Sequence, residues 1–362
     1  MILAESYHTI YLLLVTFFSL VWLSKYYNRG GSSFVRPSTN YTAGFFVAAI
    51  LALFIGTRPI SPVFVDMTSY IDKLNRYAGT TFTFDYDTDN LIWDNMLRYF
   101  ASIELSPIIF YVMIASIYFL GSFFACKRLF PRDYVAAFLV WAAAFSTFSY
   151  GTNGLKAGTA ATVFLLALSY REKLIVCLPL AFLSWGFHHS MSLPIVALLV
   201  TVVYRKPKYY FYLWLFSILI AAAHITVFQD FFASISDEKG AGYLTAEEGG
   251  AHVYLTGFRP DFILYSAMPV WMGWYAVHKM KIQSLIYNTL LCTYLLCNSI
   301  WMLCMYASFT NRIAYLSWFM YPIVLIYPVL NEQWFGNRYK TFFKIAWLHL
   351  GFTLAMHFIY YA

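Results

Sequence analysis

Residues 107–126 read PIIFYVMIASIYFLGSFFAC, an apolar run with no charged side chain. A run of this length is what an α-helix needs to cross ~30 Å of hydrocarbon at about 1.5 Å per residue. It lacks the short alternating strands of a closed transmembrane barrel. Comparable runs recur along the chain, separated by short clusters of Lys, Arg, Asn and Gly. They predict twelve spans, roughly 7–24, 39–57, 107–126, 134–150, 154–170, 174–189, 190–204, 209–228, 262–277, 283–307, 313–330 and 342–361. The expected fold class is therefore all-α, a polytopic transmembrane helical bundle.

Composition agrees, because 61% of the 362 residues are hydrophobic and only 11% charged, too few polar groups to coat a water-soluble surface. The first run, Tyr7 to Ser24, has no basic leader. It is followed by Lys25 and Arg29 instead of a small-residue cleavage site, so it reads as a retained helix and the chain as mature. Cys126, Cys177, Cys292, Cys297 and Cys304 fall within or at the ends of spans, an odd set without metal-type pairing, and read as buried small hydrophobes.

The net charge of +7 invites a nucleic-acid partner, but the basic residues are scattered among connections with no basic-aromatic stripe. Membrane topology explains the excess. Alternate connections hold Lys25, Arg29 and Arg36; Lys127, Arg128 and Arg132; Arg171 and Lys173; Arg205, Lys206 and Lys208; Lys279 and Lys281; and Arg338, Lys340 and Lys344. These take most of the 24 basic residues and few of the 17 acidic ones, which assigns them to the cytoplasmic side and both termini to the outer side. Asn40-Tyr41-Thr42 fits a glycosylation sequon but falls on the cytoplasmic side, a chance match. The reading is one transmembrane domain over 1–362, with two longer outer loops at about 58–106 and 229–261. The first carries Arg58, Asp66, Tyr70, Asp72, Lys73, Arg76 and an acidic run from Asp85 to Asp94; the second carries Asp237, Glu238, Glu247, Glu248, Arg259 and Asp261.

Polar groups at the outer ends of spans are the candidates for chemistry, since ionisable groups near hydrocarbon need partners or a task. Tyr150-Gly151-Thr152-Asn153-Gly154-Leu155-Lys156 opens the fifth span and puts a cation in a first helical turn, against the helix dipole. That placement suits joint reception of an anion such as phosphate by Lys156 and backbone N–H groups; a snorkelling Lys after a turn is the plainer reading. Phe187-His188-His189-Ser190 ends the sixth span, and an imidazole there suits a general base, or a structural hydrogen-bonding role. Gly257-Phe258-Arg259-Pro260-Asp261-Phe262 and Thr310-Asn311-Arg312-Ile313-Ala314-Tyr315 each put an Arg at an outer helix entrance. Guanidinium binds phosphate oxygens through two donors, so converging Arg and Lys suit a diphosphate. Arg58 and the pair Asp66 and Tyr70, four residues apart, extend the set.

Other constellations fail. Asp85-Tyr86-Asp87-Thr88-Asp89 starts like a calcium loop, but Asn90 stands where Gly is needed and Met96 where the bidentate Glu belongs. There is no Walker glycine loop, dinucleotide fingerprint or serine elbow.

The ordered segments Asp66 to Tyr70, Asn153-Gly154-Leu155-Lys156, Phe187-His188-His189-Ser190, Arg259-Pro260-Asp261-Phe262 and Arg312-Ile313 resemble those of the EpsG and Wzy-like polysaccharide polymerases of bacterial inner membranes. Lys156 stands where that family's segment has Arg. The resemblance implies a GT-C-like glycosyltransferase that acts on saccharide repeat units linked through diphosphate to a polyprenyl lipid and makes O-antigen, capsule or exopolysaccharide. It implies no cofactor and no metal. The implied partners are the lipid-linked donor and acceptor, membrane lipids, a chain-length regulator and a flippase.

In that setting His188 or Asp66, in that order, is the expected catalytic base. Lys156, Arg259, Arg312, Arg58, Asn153, Tyr70, Asp261 and Tyr315 are expected to bind the diphosphate and substrate. The competing classes are a transporter or flippase of lipid-linked saccharides, an O-antigen-type ligase, and a membrane acyltransferase. The charge pattern predicts that alkaline phosphatase fused after residue 88 is active, whereas fusions after 132 or 206 are inactive. The reverse pattern would invert the topology.

Overall fold

The computed structural model describes residues 2–27, 41–234, 257–308, 310–332 and 336–360, and among these every regular element is helical. Asp237, Glu238, Glu247 and Glu248 of the expected second outer loop lie outside the described residues, as do Arg29, Arg36 and Asn40. The chain divides into two compact units. The first comprises Met1–Ser192, Val329–Asn331 and Phe335–Ala362, and the second Leu193–Pro328 and Glu332–Trp334.

The first unit contains α1 (Tyr7–Tyr27), α2 (Tyr41–Gly56), α3 (Val65–Tyr77), α4 (Leu91–Ser102), α5 (Pro107–Leu129), α6 (Tyr134–Ala142), α7 (Thr147–Thr152), α8 (Leu155–Ser169) and α9 (Leu174–Phe187). The second contains nearly all of α10 (Ser192–Val203), then α11 (Pro207–Ala222), α12 (Val227–Ser234), α13 (Pro260–Trp274), α14 (Leu285–Leu303), α15 (Thr310–Trp318) and most of α16 (Tyr321–Asn331). Helix α17 (Arg338–Ala355) returns to the first unit.

All twelve apolar runs fall on helix, and five helical stretches are long and apolar enough to cross a membrane: Ala4–Tyr27, Pro107–Leu129, Leu285–Leu303, Thr310–Asn331 and Arg338–Ile359. Helices α11 and α12 pass the same test together but are bent by 106°. Tyr41–Gly56, Leu155–Ser169, Leu174–Phe187 and His189–Val203 are apolar but shorter. At ~1.5 Å per residue the 16 residues of α2 reach about 24 Å, short of a full hydrocarbon core. The stretch 58–106, expected as the first outer loop, is helical over much of its length. It contains α3, which buries Met67, Tyr70 and Leu74, and α4, which buries Trp93, Leu97 and Ala101, each along one helical face.

The run 134–150 is broken rather than one continuous helix. Helix α6 stops after nine residues at Ala142, and α7 begins only at Thr147. A helix that ends amid apolar side chains frees carbonyls that must find other donors. Here side chains from three other elements supply them. Tyr11 of α1 donates to Ala142 O at 2.7 Å, and His349 Nε2 of α17 donates to Val140 O at 3.0 Å. Thr353 Oγ1, also from α17, donates to Ala143 O at 2.8 Å, and Thr147 Oγ1 donates back to Trp141 O at 2.8 Å. Tyr118 of α5 then donates to Thr147 O at 3.1 Å.

Helix α2 packs against α5 through Gly56, where a Cβ would lie 2.6 Å from Val112 Cα. The obstruction is backbone and cannot rotate away. Gly56→Ala is therefore expected to cost about 1–3 kcal/mol, read as a lower thermal midpoint in detergent. Gly351→Ala, which meets nothing within 4 Å, should leave that midpoint in place.

Candidate active site

Arg58 lies two residues beyond α2 and is only 2% exposed, although its charge is permanent. Its Nη1 donates to Ile55 O at 2.7 Å and its Nη2 to Thr152 O at 3.1 Å. The guanidinium carbon also lies 5.2 Å from the Phe64 ring centroid and 5.3 Å from that of Tyr111. Burial pulls the pKa of Arg58 down to about 10, a shift opposed by the electrostatic pull of Tyr111, Tyr7 and Asp66. The group therefore remains a cation at neutral pH. Because Thr152 ends α7, the side chain holds the turn from which Asn153, Gly154 and Lys156 follow.

At that turn Gly154 precedes α8, and no side chain caps the helix. A Cβ on Gly154 would come within 2.5 Å of Tyr150 Cδ1, so only glycine lets the Tyr150 ring close over the junction. Lys156, half-buried, stands in the first turn of α8. Asp66 stands in the first turn of α3, where the helix dipole favours a carboxylate, and Tyr70 follows one turn later on the same helix. Tyr111 of α5 fixes this turn by donating to Met67 O at 2.8 Å.

Helix α9 ends at Phe187, and His188 adopts extended backbone angles. Its Nδ1 accepts the Ser190 backbone N–H at 3.2 Å and lies 2.9 Å from Ser190 Oγ. The Phe-His-x-Ser spacing is thus a local capping device. A backbone N–H can only donate, so Nδ1 carries the lone pair and the neutral imidazole holds its proton on Nε2. The next residue is anchored from α4, whose neighbour Asn90 accepts the His189 N–H through Oδ1 at 3.2 Å.

Trp93 joins these pieces. Fully buried, it lies 5.3 Å from Tyr70, 6.0 Å from Phe110 and 6.2 Å from Phe187, measured between ring centroids. The first unit therefore gathers Arg58, Asp66, Tyr70, Lys156 and His188 onto one connected set of helix ends. Three atoms in this set, Arg58 Nε, Trp93 Nε1 and Asn153 Oδ1, are buried without a hydrogen-bond partner.

In the second unit Arg259 precedes α13 and is 8% exposed. It forks onto Asp261, with Nε 2.9 Å from Oδ1 and Nη2 2.6 Å from Oδ2. Burial would raise the Asp261 pKa, but the hydrogen bonds and charge of Arg259 outweigh it and hold the carboxyl below its ordinary value. The guanidinium carbon sits 3.9 Å from the Phe262 centroid, and Phe262 meets Trp318 at 5.0 Å. Trp318 lies 5.7 Å from Trp301, whose indole N–H donates to Thr310 Oγ1 at 2.9 Å. This aromatic chain connects the Arg259 turn to the start of α15, where Arg312 is exposed and Tyr315 buried.

The model of the EpsG family matches residues 41–362. The chain belongs to the EpsG family. No curated protein and no solved structure matches it. EpsG membership supports a polysaccharide-polymerase type of role, and the matched region takes in every candidate residue named above.

For an EpsG protein the informative residues include several that sequence reasoning passed over. Asn90 was noticed only as the residue that spoils a calcium loop, yet it is 2% exposed and anchors the His188 turn. Trp93 and Tyr111 carried no signal beyond being aromatic. Their burial beside polar residues is legible only in three dimensions.

Removing the Arg58 guanidinium leaves two carbonyls without these donors. Arg58→Ala should therefore lose about 3 kcal/mol of stability, and Arg58→Lys, which can reach one carbonyl at a time, should lose less. Thermal unfolding of the detergent-solubilised chain checks this. An unchanged midpoint for the Ala variant would remove Arg58 from the framework.

Proposed function

We propose that the chain is a polysaccharide polymerase, a GT-C-type glycosyltransferase. It joins polyprenyl-diphosphate-linked saccharide repeat units at the outer face of a bacterial inner membrane. The observation that carries this reading is the family match over residues 41–362. In this reading the twelve apolar runs are crossings, the shorter helices being completed by their flanking turns, and both termini are periplasmic.

The acceptor hydroxyl oxygen forms a bond to the anomeric carbon of the donor. The bond from that carbon to the diphosphate oxygen breaks, and its electron pair leaves on the polyprenyl diphosphate. Asp66 takes the hydroxyl proton, its carboxylate standing half-buried at a helix start with Tyr70 alongside. The tautomer of His188 makes it the better hydrogen-bond donor, through Nε2, than base. On that ground Asp66 is proposed ahead of His188, which the sequence alone puts first.

In the first unit Lys156 neutralises the departing diphosphate, a side-chain cation in the place where other glycosyl transfers use a divalent ion, and in the second unit Arg312 is the exposed cation offered to phosphate. Arg259, also in the second unit, binds phosphate when a phosphate oxygen competes with Asp261 for its fork. Arg58, its terminal nitrogens engaged by carbonyls, is a positioning residue for the Asn153–Lys156 turn.

The test is reconstitution of the full chain in vesicles with lipid-linked repeat units. Arg312→Ala and Lys156→Ala should each lower elongation by about 10²–10³-fold while membrane insertion is retained, and Lys156→Arg should keep most of the activity. Elongation by Arg312→Ala and Lys156→Ala at the wild-type rate would refute the assignment of the leaving-group site.

A further inference from the structure

The outer face of the first unit carries a second polar feature that the reaction does not use. Between α3 and the start of α4 lies an open cleft of about 280 Å³. Lys73, Arg76 and Arg98 line it together with Asp85, Asp87, Asp89 and Asp94. Its walls are set by local bonds. Arg98 pairs with Asp85 at 2.6 Å and lies over the Tyr77 ring, 5.1 Å from its centroid. Asn95 closes the Asp85 segment by accepting its N–H at 2.7 Å and donating to its carbonyl at 2.7 Å. The Thr88 hydroxyl oxygen, on a lining residue, is buried and has no hydrogen-bond partner.

Aromatic side chains crowd the same segment and remain in solvent. Tyr86, between two lining carboxylates, is 78% exposed, and its ring lies 4.8 Å from that of Phe84. Phe82 and Tyr99, 37% and 48% exposed, pair edge to face at 5.5 Å. Exposed rings beside fixed carboxylates and guanidinium groups suit a ligand with apolar C–H faces and many hydroxyls. A sugar is such a ligand, its ring resting on an aromatic face while its hydroxyls donate to carboxylates and accept from Arg and Lys.

A lipid headgroup fits less well, because four carboxylates repel the anionic phosphate that Lys73 and Arg76 would attract. A cation fits poorly too: among the described residues no three His, Cys, Asp or Glu side chains group to hold a metal ion. The volume accommodates on the order of one or two sugar rings, below the roughly 300–1,000 Å³ of sites that enclose drug-sized ligands.

We infer that the cleft lined by Arg76, Asp87, Asp94 and Arg98, with Tyr86 at its rim, is a saccharide-binding subsite that holds the growing polysaccharide away from the reacting bond. The inference rests on the polymerase reading. Retention of the product between additions is the use such a subsite has: a chain held by its sugars remains beside the enzyme after each transfer, so elongation outpaces release. Variants of the cleft should change chain length more than the rate of the first linkage.

The test uses the full chain in lipid nanodiscs. The probe is the host's surface polysaccharide cut by mild acid into oligosaccharides of a few repeat units. Saturation-transfer NMR reads binding, and elongation of lipid-linked repeat units is followed on the same preparation. The wild type should bind the oligosaccharides, and Tyr86→Ala and Arg76→Ala should each weaken binding at least tenfold. The first linkage should then form within twofold of the wild-type rate, and the products should be several-fold shorter. No binding by the wild type, equal binding by the variants, or an unchanged length distribution would overturn the subsite. Failure of the variants to stay in nanodiscs would also overturn it, by making Tyr86 part of a bilayer-interface aromatic belt. Oligosaccharide binding that the variants lose, in a wild type that elongates nothing, would leave the cleft standing and overturn the polymerase reading.

Discussion

A permanent charge sealed among helix ends is the constraint on which the first unit depends. Removing Arg58 from water costs several kcal/mol that no facing carboxylate fully recovers. The cost is offset by two carbonyls at the ends of α2 and α7, two aromatic faces, and the field of Asp66. Those partners come from α2, the start of α3, α5 and α7, so the charge acts as a clamp. With Thr152 held, the glycine junction after it starts α8 in a defined place, and Lys156 inherits that placement. The sequence order of motifs becomes a spatial arrangement because one cation cannot be left without partners.

The second unit handles its buried charge differently. Arg259 is paired within its own turn, by a carboxylate two residues away, and its flat face rests on Phe262. Local pairing spares the unit a long-range clamp, and packing carries the geometry onward through Trp318 and Trp301 to Thr310. Elsewhere in this unit buried polar groups answer one another in pairs. Trp214 donates to Asn298 at 2.8 Å, Asn298 donates to Ser317 at 3.0 Å, and Thr201 meets Thr293 at 2.9 Å.

Much of this was legible from sequence, for physical reasons that also mark the limit. Apolar runs report helix because hydrocarbon leaves the backbone no other partner than itself, and each of the twelve runs contains helix among its described residues. The i, i+4 relation of Asp66 and Tyr70 was legible once helix was assumed for that stretch, and α3 supplies it. The break at Ala142 was not. Residues 134–150 contain no proline, and only side chains from α1, α5, α7 and α17 make an interruption there tolerable. For the same reason the proton position on His188 was invisible, since it follows from a bond to Ser190 that forms only after α9 stops. Motif spacing singled out the polar groups at helix ends. That Arg259 is paired locally by Asp261, whereas Arg58 clamps a carbonyl 94 residues away at Thr152, shows only in three dimensions.

The interrupted α6 also bears on how the molecule is built. Its loose carbonyls are answered by Tyr11, 131 residues before Ala142, and by His349 and Thr353, 209 and 210 residues after their acceptors. A segment inserted during synthesis would meet the first of these donors already in place and wait for the other two. Contacts of such span make folding slow and order-dependent. Until α17 is made, the middle of the first unit holds a helix end without its full set of donors.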